Sequence, residues 1–396
     1  MIKSAREVFN REFSKSKYER FLDDINHRYD REVAFRVAET PVFIGKDFDA
    51  LLRTASEEII DFIIRPDFKT LSESAIPAHL RVPNETEHTL FLALDFGVID
   101  VEGKPEPRLI EMQGFPSLFG WQDVVAEKYR EHFHVPENFQ SHNGLTSAEY
   151  RKMLREVLLN GHDPKEVVLL EIDPEKQNTQ VDFFAIEEMT GIRAVHLGDV
   201  RREGKKLFYT LEGQAVQIRR IFNRVIFDEL TQRTDLQLSF NLTEDVEVEW
   251  AGHPNWFFRI SKHTMPMIQS RFIPECRFLS DFKEWPHDLD NYVLKPLFSF
   301  SGSGVVFHVS PDDVNSIPGT RRHEFMLQRK VQYMPVVQTP DGLVKAEVRL
   351  LFIWKEGEAR PQRVTNLARL SRGEMVGVKY NKDKTWVGGS VCFFEP

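Results

Sequence analysis

At 396 residues, with 52 Lys and Arg against 61 Asp and Glu and a formal net charge of −9, the chain is long enough for two or three domains around a large cleft. Two cysteines exclude a disulfide scaffold, and 41% hydrophobic with 29% charged residues is a globular composition, neither disordered nor collagenous. The acidic balance argues against nucleic acid as the main partner, because that affinity comes mostly from Lys and Arg neutralising phosphates.

Residues 1 to 75 predict amphipathic helices, with apolar positions recurring at three and four in REVFNREFSKSKYERFLDDINHRY and FDALLRTASEEIIDFII. The opening MIKSAREVFNREF carries charges where a signal peptide needs an apolar core. No run approaches the roughly 18 apolar residues of a membrane span, so a cytoplasmic protein is expected. From Thr89 the pattern turns β-like, LFLALDFGVIDV and RLIEMQGF around the polar turn EGKPEP, which predicts a hairpin or two neighbouring strands. In TSAEYRKMLREVLLNG, Thr146 is placed to cap a helix and Gly161 to end it.

The run EVVLLEIDPEKQNTQVDFFAIEEMTGIRAVHLGDV alternates strand, turn, helix and strand, the signature of a parallel sheet covered by helices. Such sheets bind ligands beyond the carboxyl ends of their strands, where Arg219, Arg220, Asn223 and Arg224 gather. Beyond about His253 the chain becomes strand-rich. Cys276 and Cys392 lack zinc or redox spacing and read as buried thiols. His253, His263, His287 and His308 likewise show no mutual metal spacing and are assigned no catalytic role.

Four constellations carry chemistry. In NYVLKPLFSFSGSGVVFHV, a strand delivers Lys295, and a Gly/Ser loop from Ser299 to Gly304 returns into a strand expected over Val305 to Val309. Such loops let backbone N–H groups close around phosphate oxygens, although the same residues suit an ordinary hairpin with a surface lysine. In EFMLQRKVQYMPVV, an apolar strand turns polar at Gln328, Arg329 and Lys330 before Val331, where exposed backbone groups can read a purine; an edge strand is the plainer alternative. KAEVRLLFIW places Glu347 and Arg349 on one strand face, and the next strand presents Arg363, Thr365, Asn366, Arg369 and Arg372. Converging guanidiniums clamp oxyanions, and a basic cluster in an acidic chain stands out against the alternative of a solvated charged hairpin. Finally, Asp95 precedes Glu111 and Gln113, two residues on one strand face, as hard oxygen ligands of the kind magnesium shares with phosphates. Taken alone, strand carboxylates are more often surface residues.

In order, these pieces resemble the circularly permuted ATP-grasp enzymes, most closely the synthetase domain of glutathionylspermidine synthase and related carboxylate–amine ligases, over roughly residues 89 to 372. The resemblance implies a mixed α+β and α/β architecture, a permuted ATP-grasp fold with a Rossmann-like pre-ATP-grasp domain. Residues 1–150 would hold the N-terminal helices and metal-binding strands, 151–250 the α/β substrate domain, and 251–396 the lysine, lid, hinge and arginine strands.

It further implies ATP and one or two Mg²⁺ as cofactors, and an amide bond made through an acyl phosphate with release of ADP and phosphate. Lys262 and Lys295 would bind phosphates, with Ser301, Gly302, Ser303 and Gly304 as lid and Gln328, Arg329 and Val331 as the base hinge. Asp95, Glu111 and Gln113 would hold the metal; Arg349 and Arg369 would act on the transferring phosphoryl. Ser117, Arg219, Arg220 and Arg224 are candidates for the carboxylate substrate.

Two positions depart from the pattern: Gln113 replaces the family's Asn, and Ala93 replaces an Arg at the reacting centre. No amidase domain is expected. Partners would be small carboxylates and amines, an amino acid or peptide among them, with neither nucleic acid nor membrane, and a homodimer is compatible with the family. A phosphotransferase and a non-catalytic nucleotide-binding module are the competing functions.

Overall fold

The computed structural model describes residues 1–298, 304–373, 376, 381 and 383–396. The predicted helical opening folds as Lys3–Glu12, Lys15–Arg28 and Lys46–Ile63, and their apolar stripes enter the largest core. One element there escapes the periodicity. The buried run Val42–Ile44 is a strand that pairs in parallel with Cys392–Phe394, and three residues are too few to show a repeat.

The β-like segment after Thr89 is a hairpin, Phe91–Val101 with Lys104–Gln113. Its two-residue turn places Glu102 and Gly103 at φ of 53° and 80°, the positive values that match the twist of paired strands. Phe91–Val101 then pairs antiparallel with Gly342–Ile353, which continues through Gln362–Ser371 to Gly388–Ser390, while Pro335–Thr339 adds to Gly342–Ile353. Strands from early and late in the chain thus share one six-stranded sheet.

Alternation divides the work of this sheet between its faces. Leu92, Leu94, Phe96, Met112, Leu350 and Leu370 sit in the largest core on one side. At about 2–5 kcal/mol for each such side chain truncated to Ala, that face anchors the sheet and offsets the cost of charge on the other. Ala93, Leu351 and Ile353, on the opposite face, pack with Phe119, Tyr150 and Leu154 in a second core.

The predicted βαβ unit is present: Val167–Glu171, helix Gln180–Thr190 and Arg193–His196, with the two strands parallel. Arg220–Asn223 and Glu249–Ala251 extend this sheet, all in parallel, and Val167 to Leu170 are buried on both faces as such strands require. Thr146 caps helix Ser147–Leu159 through a reciprocal pair of bonds with Glu149, and the helix ends on Asn160 in the left-handed region, one residue before Gly161.

A three-stranded sheet, Cys276–Phe278, Phe325–Arg329 and Tyr292–Pro296, has its own small core of Leu279, Leu289, Leu294, Val309, Val314 and Leu327. The strand expected over Val305 to Val309 is not formed. Only Val306 pairs, exchanging backbone hydrogen bonds of 3.0 and 2.9 Å with Leu294.

Candidate functional site

The register of the six-stranded sheet builds a charged row. Asp95 lies opposite Glu111 on one side and opposite Arg349 on the other, while Glu347 lies opposite Arg369. Directly opposed residues share a face, so these five side chains meet where the apolar Ala93 and Leu351 end. Both Asp95 oxygens are taken by Arg349, through Nε and Nη2 at 2.6 Å each, and Arg369 Nη2 adds a third bond at 2.9 Å. Arg369 Nε also donates to Glu347 Oε1 at 2.8 Å, and the Tyr333 hydroxyl donates to Glu347 Oε2 at 2.8 Å. Asp95 is wholly buried.

A register shift next to the Asp95–Glu111 pair leaves Ile110 as an extra residue, a bulge of the kind that re-aims side chains. The Ile110 carbonyl accepts from Lys295 Nζ at 3.2 Å, and Glu111 Oε1 meets Lys262 Nζ at 2.9 Å. Two lysines from separate segments therefore meet at this strand end, Lys262 on the Glu111 carboxylate and Lys295 on the neighbouring backbone carbonyl, from where its charge also acts on Glu111. Gly114 makes this possible. A Cβ there would lie 2.4 Å from the Trp256 carbonyl oxygen, and its N–H donates to the Ile260 carbonyl at 2.8 Å, so the segment carrying Lys262 is drawn onto the strand end.

The electrostatics follow from this crowding. Burial pushes the Glu111 carboxyl up, but Lys262 and then Lys295 outweigh it and hold the pKa at about 2. Burial pulls the Lys295 ammonium down to about 8, against the support of Glu111. Burial also opposes the Arg369 cation, yet Glu347 and Asp95 raise its pKa overall. Four cations, Lys262, Lys295, Arg349 and Arg369, thus face three carboxylates, a surplus of positive charge suited to an anionic ligand.

The sequence candidates are distributed unevenly around this centre. Lys262, Lys295, Asp95, Glu111, Arg349 and Arg369 come together; Arg363 pairs with Asp49 and Arg372 with the Asp341 carbonyl. Gln113, partly exposed, lies opposite Ala93. Glu111 and Gln113 can offer oxygens to a hard cation, whereas Asp95 cannot without giving up two guanidiniums. Among the described residues, the one group of His, Cys, Asp and Glu close enough to share a metal is Asp24, Glu131 and His132, and Lys128 Nζ already bridges its two carboxylates at 3.0 and 2.7 Å.

Ser301, Gly302 and Ser303 lie outside the described residues, while Gly304 sits at φ of 68° beside Pro296. At the hinge, Arg329 N–H donates to the Glu275 carbonyl and Lys330 N–H to the Asn291 carbonyl, so two of the backbone donors near Val331 are engaged within the fold. Arg329 itself points to Asp288 and the Tyr292 hydroxyl.

Of the substrate candidates, Arg224 is buried, donates to the Pro116 carbonyl at 2.9 Å and lies 4.8 Å over the Phe115 ring, which brings it beside Ser117. Arg219 forms an ion pair with Glu166, more than a third exposed, and Arg220 is tied to the Leu158 and Val157 carbonyls and to Glu249. These two do not converge with Arg224. The candidate set also omits Glu347 and Tyr333. Glu347 is placed on Arg349's face by period but is given no role there, whereas Tyr333 lies in a connection that carries no period.

Among solved structures, the chain is similar to a glutathione synthetase-like effector from Globodera pallida in its apo form, at 9% identity and a TM-score of 0.57, covering 98% of this chain and 99% of that one. The fold is glutathione synthetase-like. No protein-family model matches the chain, and no curated protein matches it in sequence. No helix among the described residues is long and apolar enough to cross a membrane.

Proposed function

We propose that the chain is an ATP-dependent carboxylate–amine ligase with a circularly permuted ATP-grasp arrangement. The observation that carries this reading is the meeting of Lys262 and Lys295 at the Ile110–Glu111 strand end, beside the Arg349–Asp95–Arg369–Glu347 row. The glutathione synthetase-like fold supports it.

In this reading Lys262 and Lys295 neutralise the inner phosphates of ATP. Arg349, fixed by Asp95, and Arg369, fixed by Asp95 and Glu347, present guanidinium N–H groups to the phosphoryl as charge develops on it. A substrate carboxylate oxygen bonds to the γ-phosphorus and the bond to ADP breaks. The amine then attacks the acyl carbon, inorganic phosphate leaves, and the amine proton passes to solvent. Arg224 and Ser117 orient the carboxylate substrate. Glu111 and Gln113 would hold Mg²⁺, which would supply positive charge to neutralise the phosphates. Asp95 serves the arginines rather than the metal.

The test is a screen of carboxylate and amine pairs read by ADP release, with mass spectrometry of the product. Lys295→Ala and Glu111→Ala should each lower turnover by about 10²- to 10³-fold, the usual loss when one oxyanion contact is removed. Unchanged turnover in either variant sinks the assignment. The saturation of Asp95 by two guanidiniums favours a second reading, a nucleotide-binding module without turnover. ATP binding with no ADP release under any substrate pair would select it.

A further inference from the structure

Gly97 and Glu347 lie directly opposite each other on neighbouring strands of the six-stranded sheet, on the face that also carries Asp95. With no side chain at Gly97, a slot opens beside the Glu347 carboxylate, and the ring of Tyr333 fills it. A Cβ at position 97 would lie 2.8 Å from Tyr333 Cε1, 3.0 Å from its Cζ and 3.2 Å from Ile110 Cδ1, so the slot requires glycine. The backbone seats the ring there: Tyr333 forms a bridge with Ile99, and the Met334 N–H donates to the Val98 carbonyl at 2.8 Å. The hydroxyl then donates to Glu347 Oε2 at 2.8 Å, while Glu347 Oε1 accepts from Arg369 Nε, also at 2.8 Å. Both carboxylate oxygens are thereby held. Burial, and then the Glu347 charge, push the Tyr333 pKa well above its ordinary value, so the hydroxyl keeps its proton and stays a donor.

Of the two arginines in the row, Arg369 is the more open, its side chain 35% exposed against 10% for Arg349. A long side chain with that freedom keeps one orientation only while its partner is itself fixed. Resting on the nucleotide reading above, we propose that Tyr333 is a positioning residue: its hydroxyl fixes Glu347, and Glu347 aims the Arg369 guanidinium at the terminal phosphoryl of the bound nucleotide. Tyr333 stands outside both arginine strands. It lies in the connection from Phe325–Arg329, in the three-stranded sheet that also holds Lys295, to Pro335–Thr339 in the six-stranded one. The aim of Arg369 is therefore tied to the seating of the sheet that delivers Lys295. Ile110, whose side chain borders the slot, is also the residue whose carbonyl accepts from Lys295 Nζ at 3.2 Å. One ring thus stands between the lysine and arginine halves of the site.

Isothermal titration of the full chain with ATP and with ADP, both with Mg²⁺, reads whether the terminal phosphate is gripped. Wild type should bind ATP more tightly than ADP by about 10- to 100-fold, the effect of a hydrogen bond between charged groups. Tyr333→Phe keeps the ring in the slot and removes only the hydroxyl. It should lower that preference by about 10-fold, as when a group that orients a ligand-contacting residue is lost, and leave ADP affinity unchanged. A general loosening of the fold would weaken both nucleotides. Gly97→Ala keeps the hydroxyl but displaces the ring, and should lower the preference likewise. In an Arg369→Met background, Tyr333→Phe should change nothing further, because residues acting through one contact are not additive. The inference is overturned, with the nucleotide site left standing, by any of four results: no preference for ATP in wild type, an unchanged preference in Tyr333→Phe, equal weakening of ATP and ADP, or a further loss in the Arg369→Met background. If wild type binds neither nucleotide, the nucleotide reading itself falls and takes this inference with it.

Discussion

Replacing Asp95 by Asn keeps the shape of the side chain and removes only its charge. The carboxylate is fully buried and is the anion that holds Arg349, itself 8% exposed, through two bonds of 2.6 Å. Taking one partner from a buried pair leaves an uncompensated charge and costs about 3–5 kcal/mol. For 396 residues, at about 2.1 cal/mol/K of unfolding entropy per residue, that is a fall of about 4–6 °C in the thermal midpoint. Glu111→Gln is the control. Its carboxylate side chain is 26% exposed, so water compensates part of the charge that its loss leaves on Lys262, and the midpoint should fall by less than in Asp95→Asn. Calorimetric melts in EDTA would read both variants. Carboxylates gathered for a cation repel one another without it, so removing one from a metal site leaves the metal-free protein as stable or more so. An Asp95→Asn midpoint at or above wild type would therefore refute the argument that Asp95 is there for the arginines.

Two further outcomes follow from the same geometry. Lys295 has a pKa of about 8 in the free protein, and a bound polyphosphate raises it, so binding takes up a proton above pH 8. ATP affinity should be level below about pH 8 and weaken by up to about tenfold per unit above it; titrations that stay level through about pH 9.5 would break this link. Gly114→Ala must displace the Trp256 carbonyl or the strand end, costing about 1–3 kcal/mol and moving Lys262 away from Glu111. Urea denaturation combined with ATP titration checks it, and wild-type values in both would show that the close approach does not position the lysine.

Much of this architecture was legible wherever a period had room to declare itself. The hairpin, the βαβ unit, the helical opening and the pairing of Glu347 with Arg349 on one face all follow from repeats of two or 3.6 over at least four residues. Register is what periodicity leaves open. The row Glu111–Asp95–Arg349 depends on which residues stand opposite, and the bulge at Ile110 adds a shift that no local pattern announces. Asp95 and Glu111 look alike as strand carboxylates, yet one faces two guanidiniums and the other two ammoniums. Arg219, Arg220 and Arg224 are equally basic in sequence; the parallel strand Arg220–Asn223 puts the first two at its start and the third just beyond its end, in different surroundings. The Arg329 and Lys330 N–H groups look exposed in sequence because neither Glu275 nor Asn291 signals that its carbonyl takes them.

The pairing of Phe91–Val101 with Gly342–Ile353 also sets a clock on biosynthesis. Asp95 and Arg349 are separated by 254 positions, and at about 5–20 residues per second the ribosome makes the second about 13–50 s after the first. Throughout that interval the hairpin has an unpaired inner edge lined by Phe91, Leu92, Leu94 and Phe96, the kind of flat apolar strand that recruits other chains. Neither half of the charged row exists as a site until Gly342–Ile353 arrives. The nascent chain is thus a natural client for a chaperone that shields strand edges, and slow growth at low temperature should raise its soluble yield.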